Sequence, residues 1–515
     1  MLKLNLNIES IDKCHDLAKL IAKDTLALIH PNTTIGIERA VLRLLGVEGA
    51  TKDELQIPLV NVLTDALHEK GYLQNGTSFY LLYLNHYFNS LPSEWIEKLH
   101  RKELTLPDIN EKELSDYQKS AIEIGEQTIA SIKAQSSKRE LIIKTHGERP
   151  TPWLYVIVAT GNIYDDIQQA EMAVRHGADI IAVIRSTAQS LLDYIPEEAT
   201  TGGIAGTFAN QQNFRLMRHK LDELGIELGR YIRLTNYASG LCMAEMAALG
   251  AKERLDMMLS DSMYGILFRD INMLRTFTDQ HFARRLQAAA GIIINTGEDN
   301  YLTTSEQYEE MHTVLASQFI NRQFAHLSGL SDSQIGLGHA FEMNPEIENG
   351  LLLSFADALL SRQCFPDCPL KYMPPTKYVD GNIFHAHVMN ALFNLTSVGT
   401  NQHIHLIGIL SEGVHTPFIQ ERFLAIQNAL YIFRNAKDMY REFNITPNGL
   451  IQQRVTFVLN KTLSMLQEIA ATGLPNYIEA GFFAGVKRTF TGGKGYEGVI
   501  KKSSVYFNPF ENLLN

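Results

Sequence analysis

Along the chain the spacing of apolar residues changes character once, near residue 150. Before that point it follows the three- and four-residue steps of amphipathic helices, in Cys14 to Ile29 and Ile35 to Leu45. Glu94 to His100 and Glu111 to Ser137 continue the pattern with more charge. Thr145-His-Gly-Glu-Arg-Pro-Thr-Pro152 interrupts it with a glycine and two prolines. Beyond that break come short unbroken apolar runs, each followed by a longer stretch of helical period. The runs are Trp153–Ala159, Ile180–Ile184, Tyr231–Thr235, Met257–Leu259, Gly291–Ile294, Ile335–His339, Leu370–Met373 and His403–Leu410. They lack polar–apolar alternation, as strands do when both sheet faces are covered. The stretches between them, such as Asp166–His176, Gln211–Leu224, Ser305–Ala325 and Gly381–Leu395, have the length and period of helices.

Eight strands alternating with helices over about 260 residues fit a closed (β/α)8 barrel better than an open doubly wound sheet. The alternation alone would suit either. Three regions follow: a helical region over 1–150, an α/β TIM barrel with the site over 151–442, and a helical or irregular extension over 443–515. Pro417–Glu442 and Leu450–Thr472 are the last long helical stretches. The tail holds G-x-G-x-x-G at Gly493, Gly495 and Gly498, but no strand precedes it and no βαβ unit follows, so it is no dinucleotide signal.

Composition narrows the function classes. Of 515 residues, 45% are hydrophobic and 20% charged, the balance of a globular enzyme, and the net charge of -11 offers no basic surface for nucleic acid or an anionic membrane. Four cysteines make no disulfide framework and point to a reducing compartment. Cys364 and Cys368, with His385 and His387 after them, fit no standard zinc spacing. With no signal-peptide pattern at Met1 and no apolar run near the roughly 20 residues of a membrane span, a cytoplasmic protein is expected.

Barrel chemistry gathers at the carboxyl ends of the strands. After the second run stands Arg185-Ser-Thr-Ala-Gln-Ser190, which suits a phosphate or equally a capped βα loop. After the fourth, Tyr264 could stack on a flat ring and Arg269 pair with an anion, or they could be a core aromatic and a salt-bridged arginine. The fifth leads into Asn295-Thr-Gly-Glu-Asp-Asn300, a polar density that packing alone does not explain. His339-Ala-Phe-Glu342, Lys371 and Ser411-Glu412 complete the rim. His403 and His405 fall at the amino end of their strand, on the opposite side, and read as structural. The rim suits a phosphorylated cofactor and a zwitterionic substrate.

Several runs then carry a resemblance. Ile184-Arg-Ser-Thr-Ala-Gln-Ser-Leu-Leu192, Tyr231-Ile-Arg-Leu-Thr-Asn-Tyr-Ala-Ser-Gly-Leu-Cys242, Tyr264-Gly-Ile-Leu-Phe-Arg-Asp-Ile-Asn272 and Gly291-Ile-Ile-Ile-Asn-Thr-Gly-Glu-Asp-Asn-Tyr-Leu-Thr-Thr304 resemble the α subunits of the lysine 5,6-aminomutase family. So do Gly336-Leu-Gly-His-Ala-Phe-Glu-Met-Asn-Pro345 and Leu370-Lys-Tyr-Met-Pro-Pro-Thr-Lys377, and the likeness runs from the N-terminal helices to Asn508-Pro-Phe510. The resemblance implies a barrel that holds pyridoxal 5'-phosphate. It also implies a smaller β subunit, expected in an α2β2 assembly, that carries adenosylcobalamin and the lysine that links to the coenzyme. Carried over, Arg185, Ser186, Thr187, Ala188, Gln189 and Ser190 resemble the phosphate cradle, with Ser239 nearby; glycine is expected where Ala188 stands. Tyr264 resembles the residue stacked on the pyridine ring, while Arg269 and Asn300 resemble further coenzyme contacts. Asp299 and Lys371 resemble the groups that hold the substrate's ammonium and carboxylate ends. The implied reaction is a radical 1,2-amino shift from C6 to C5 of D-lysine or L-β-lysine.

The cobalt-ligand motif D-x-H-x-x-G is absent, since Asp279-Gln-His-Phe-Ala-Arg284 fails at its last position. Activity is therefore expected only with a partner chain. Rival readings are an ornithine 4,5-aminomutase-like subunit, whose large chain also carries the cobalamin domain, a non-catalytic scaffold for a cobalamin-binding partner, and a cofactor-free barrel lyase.

Overall fold

The computed structural model describes residues 2–109, 115–184, 189–204, 206–237, 240–412, 414–415 and 417–514. Its centre is a ring of parallel strands: β1 Trp153–Ile157, β2 Ile180–Ile184, β3 Arg233–Asn236, β4 Met257–Leu259, β5 Ile293–Asn295, β6 in two pieces (Ile335–Gly336 and Gly338–Ala340), β7 Lys371–Met373 and β8 Ile404–Leu406. Each predicted run contains or overlaps one strand, so the barrel read from the sequence is the fold. The ring closes twice. β8 pairs with β1 through Ile404 and Trp153, and β6 bridges its neighbours by dividing its register. Its first piece pairs with β5 and its second with β7, with Leu337 between them.

Alternation along the strands separates an inner from an outer surface. Tyr155, Ile180, Ala182, Met257, Ile404 and Leu406 form one inner cluster. Leu154, Val156, Ile181, Val183, Leu234 and Met258 belong to the larger core beneath the surrounding helices. The same alternation turns Asn295 and Lys371 inward, because Ile294 and Leu370 join the outer core. Five barrel helices, four after strands and one following helix Ser262–Arg269, start from an Asn or Asp whose side chain accepts a first-turn N–H: Asn162, Asn210, Asp261, Asn272 and Asn382.

The terminal segments embrace the barrel and each other. Helix Ile8–Ile29 shares a core with helices Gln307–His326 and Leu450–Thr472 through Ile11, Ile21, Phe319, Val458 and Leu466. Asn32–Thr34 pairs antiparallel with Val499–Lys501. Helices Thr77–Phe88 and Ser262–Arg269 escaped the sequence reading. The first is rich in aromatics with no clean polar face, and the second is too short for a period to show.

Candidate active site

The segments after β3 and β5 meet the first residue of β7 around one buried ion pair. Lys371, on β7, places Nζ 2.8 Å from Asp299 Oδ1, and both side chains are sealed from solvent. Neither atom makes a hydrogen bond of acceptable angle, so the pair holds charge without being saturated. Asp299 Oδ2 accepts from Asn300 Nδ2 at 3.1 Å and, more distantly, from the Tyr237 hydroxyl at 3.4 Å. The Lys371 ammonium also lies 5.2 Å from the centroid of the Tyr237 ring. Burial pushes the Asp299 carboxyl above its usual range, opposed chiefly by Lys371.

Tyr264, on helix Ser262–Arg269, packs against Gly297 at the head of the turn that bears Asp299. Its hydroxyl accepts from the Arg269 guanidinium, which sits 5.0 Å from the ring centroid, and Arg269 Nε is buried without a partner. Two glycines bring the parts this close. A Cβ on Gly297 would lie 3.2 Å from Tyr264 Cβ, and one on Gly338 would lie 2.7 Å from Asp299 Oδ1. Asn295, at the end of β5, is fully buried with both amide atoms unpartnered.

A second, saturated polar layer supports these groups. Asp261 Oδ1 accepts from the N–H groups of Met263 (3.0 Å) and Tyr264 (3.4 Å), which starts the helix that bears Tyr264 and Arg269. Its Oδ2 accepts from Gly297 N–H at 2.9 Å, at the head of the turn bearing Asp299 and Asn300. Asn321 Nδ2 bridges Asp261 Oδ1 (3.1 Å) and Glu298 Oε1 (2.9 Å), and Gly338 N–H reaches Glu298 Oε2 at 3.1 Å. Burial, reinforced by Asp261, pushes Glu298 up to about 8.

Of the residues expected in the site, Tyr264, Arg269, Asp299, Asn300 and Lys371 come together. Arg185, Ser186, Thr187, Ala188 and Ser239 lie outside the described residues. Gln189 and Ser190 begin a short 3-10 turn, and Gly240 packs onto Ser190, so the loops after β2 and β3 touch. The Gln189 amide is engaged on both sides by the backbone of Ala209. Tyr237, Asp261 and Asn321 were not singled out from the sequence, and Asn295 and Glu298 were marked only as members of the polar run after the fifth strand. Asp261 carried a usable signal, an acid directly before a helix start. Asn321 carried a fainter one, since Ser317, Gln318 and Asn321 recur at core spacing among the buried Leu315, Phe319, Ile320 and Phe324 of their helix.

His405, Asp279 and His281 have structural surroundings. His405 faces outward between Ser397 Oγ (2.9 Å) and Asn394 Oδ1 (2.8 Å), and burial pushes it down to about 3. Asp279 pairs with Arg275 at 2.7 Å, and His281 contacts Ser328. Among the described residues no group of three or more His, Cys, Asp or Glu could hold a metal ion, and no helix is long and apolar enough to cross a membrane.

A closed parallel barrel with an ion-paired polar centre at the carboxyl ends of its strands defines the class, a (β/α)8 barrel with its candidate site at the usual end. Comparison supplies the family. Residues 4–513 match the family described as the D-lysine 5,6-aminomutase TIM-barrel domain of the alpha subunit, and the chain belongs to that family. It is 51% identical over 512 residues, 99% of its length and 98% of the relative's, to the lysine 5,6-aminomutase alpha subunit of Acetoanaerobium sticklandii. It is 49% identical over 513 residues, 99% of both chains, to the protein of the same description in Fusobacterium nucleatum. The D-ornithine 4,5-aminomutase subunit beta of A. sticklandii is 27% identical over 374 residues, 70% of this chain and 50% of that one. Such relatives make this an aminomutase subunit, of the isomerase class.

Proposed function

We propose that this chain is the α subunit of a cytoplasmic, adenosylcobalamin- and pyridoxal-phosphate-dependent lysine 5,6-aminomutase. The enzyme would move the terminal amino group of D-lysine or L-β-lysine from C6 to C5. The observation that carries the reading is the sealed Lys371–Asp299 pair, on a turn whose Gly297 packs against Tyr264, in a chain that matches lysine 5,6-aminomutase α subunits over 99% of its length. The residues fit a flat, phosphorylated, zwitterion-binding coenzyme. Tyr264 offers a ring face, while Arg269 Nε and the Asn295 amide are buried without partners. Gly297 and Gly338 keep clear the volume that a Cβ would fill. Pyridoxal phosphate would supply a carrier for the migrating nitrogen, and adenosylcobalamin the radical that starts the shift.

Within that reading Tyr264 orients the coenzyme ring, and Arg269 and Asn300 fix its polar edge. The loop Arg185–Ser190, with Ser239, would hold the phosphate. Asp299 and Lys371 would exchange their mutual contact for the substrate's ammonium and carboxylate, a swap of one pairing for another that leaves no buried charge alone. The closed barrel wall keeps water from the reaction centre. A cobalamin-binding β subunit, in an α2β2 assembly, would bring the cobalt ligand and the lysine that links to the coenzyme.

The deciding experiment is an anaerobic assay of the co-expressed pair against D-lysine, L-β-lysine and ornithine. Turnover of a lysine with C6-to-C5 migration is expected. Turnover of ornithine alone, or no pyridoxal absorbance in the purified pair, would overturn the reading. Activity of this chain alone with both cofactors would remove the need for the partner.

A further inference from the structure

We propose that Asp261, Glu298 and Asn321 are positioning residues for the reaction, a buried triad that fixes Tyr264 and Arg269 against Asp299 and Lys371. The inference rests on reading the barrel mouth as the reaction centre.

The triad joins four separate pieces of chain. Asp261 caps the helix of Tyr264 and binds the turn of Asp299 through Gly297 N–H. Glu298, inside that turn, binds β6 through Gly338 N–H, and the Gly338 carbonyl is held by Gln318 Nε2 at 2.8 Å. Asn321, one helical turn beyond Ser317, gives one amide hydrogen to each acid. All three side chains are fully buried.

Two carboxyl groups joined by one amide, out of contact with water, do not both ionise cheaply. Asp261 receives four donors, and Glu298, buried beside it, keeps its proton at neutral pH. The charged and titratable groups facing Glu298 are Asp261, Asp299, Arg284 and Tyr301. Arg284, which donates to Ser262 Oγ at 3.1 Å and Asn321 Oδ1 at 3.4 Å, is the cation on that side. Tyr301 shares its hydroxyl with Ser317, and Asp299 is already paired to Lys371. Ionising Glu298 places a second anion beside Asp261 and strains the bridge between the loops after β4 and β5. The consequence is misplacement of Tyr264 relative to Asp299, to which catalysis is steeply sensitive.

The test uses the full chain first, then the assembled enzyme. Infrared spectra of the isolated chain should show a protonated carboxyl that titrates with a midpoint near 8, as burial beside Asp261 dictates. That band should be missing from Glu298→Gln. Amide hydrogen exchange over 262–269 and 297–300 should quicken across the same range in the wild type only. In the assembled enzyme kcat/KM should fall above that pH. Glu298→Gln should lower the rate severalfold at pH 7 and abolish the alkaline fall. Asn321→Ser should reduce kcat about tenfold or more with little change in KM. An ionised Glu298 at pH 7, or an unchanged pH profile in Glu298→Gln, overturns the proposal. Should the wild-type pair turn over no amino acid, the functional reading fails on its own, while the infrared and exchange measurements still judge the triad.

Discussion

Two buried ion pairs in this molecule are built to opposite standards. Arg454, on the C-terminal helix Leu450–Thr472, grips Asp357 with Nε at 2.9 Å and Nη2 at 3.0 Å. Gln307 Nε2 adds a third donor to Asp357 at 2.9 Å, and Arg454 also binds the carbonyls of Gln307 and Tyr308. In the barrel mouth Lys371 and Asp299 are equally buried and equally close, yet two of their polar atoms lack a well-angled hydrogen bond. The first pair closes its own accounts and ties the C-terminal helix to the barrel. The second leaves binding capacity unspent in the candidate site, where the proposed function puts its chemistry. Unspent hydrogen-bonding capacity is not unique to the mouth, since Arg43 and Glu245 also keep one unpartnered atom each, but only the Lys371–Asp299 pair sits among the residues of the candidate site.

The comparison breaks most directly at Lys371. Lys371→Met in the assembled enzyme should cut kcat/KM by about a thousandfold, the scale of losing one preorganised electrostatic contact. Stability should suffer less than the removal of a buried cation suggests, because Asp299, already pushed up by burial, takes up a proton. Steady-state kinetics with denaturant unfolding checks both halves. Full activity per folded molecule together with a loss of several kcal/mol of stability would make the mouth pair structural and erase the distinction. Arg454→Met should do the reverse. It strips two of the three donors from a sealed Asp357, and unfolding should ease by about 3–5 kcal/mol while activity per folded molecule persists.

What was legible in the sequence follows from where information is local. Ile180–Ile184 and Met257–Leu259 are strands with the bounds their apolar runs announce, because a strand covered on both faces leaves an unbroken run. Tyr231–Thr235 begins two residues early, since Tyr231 and Ile232 are buried before the ladder starts at Arg233. The division of β6 around Leu337 was invisible, for it depends on two neighbours with different registers. In the site, Tyr264, Arg269, Asp299 and Lys371 could be named because they sit at strand ends or within recognisable runs. Asn321 was harder to name, because it comes from the helix between β5 and β6 and not from a strand end, and enters the site only through the fold. Nor did the terminal halves of the chain announce that Asn32–Thr34 would pair with Val499–Lys501.

A smaller effect sharpens the contrast through pH. Glu298 has its folded pKa raised to about 8, from a usual value near 4.5, by burial and then by Asp261. Between those values the folded state holds a proton that the unfolded state has lost, so unfolding becomes easier as pH rises across the window. The contribution is complete below about 4.5 and gone above about 8. Its size should be on the order of 2 kcal/mol once relaxation of the site is allowed for. Urea titrations from pH 5 to pH 8.5 should show the decline in the wild type and a flatter curve in Glu298→Gln. Equal slopes would show that Glu298 ionises freely and that the supporting layer is softer than its geometry implies.

The smallest effect concerns how the C-terminal tail reaches the mouth. Arg488 donates from Nε to the Ile266 carbonyl at 3.0 Å and from Nη2 to the Leu267 carbonyl at 2.7 Å, near the end of the helix that bears Tyr264 and Arg269. Those carbonyls lie in the last turn, where helix bonds run out and the dipole favours a cation. Lys494 extends the same strap, its N–H reaching the Asp270 carbonyl at 2.7 Å while its own carbonyl accepts from Asn272 N–H at 3.0 Å. Arg488→Ala should therefore cost about 1 kcal/mol of stability, since the arginine is partly exposed and water replaces part of what it supplies. Activity should fall only about threefold, and hydrogen exchange should quicken in 262–269 but not in 297–300, which Asp261 and Asn321 hold independently. Exchange quickening equally in both segments would mean that the tail, and not the buried acids, sets the geometry of the mouth.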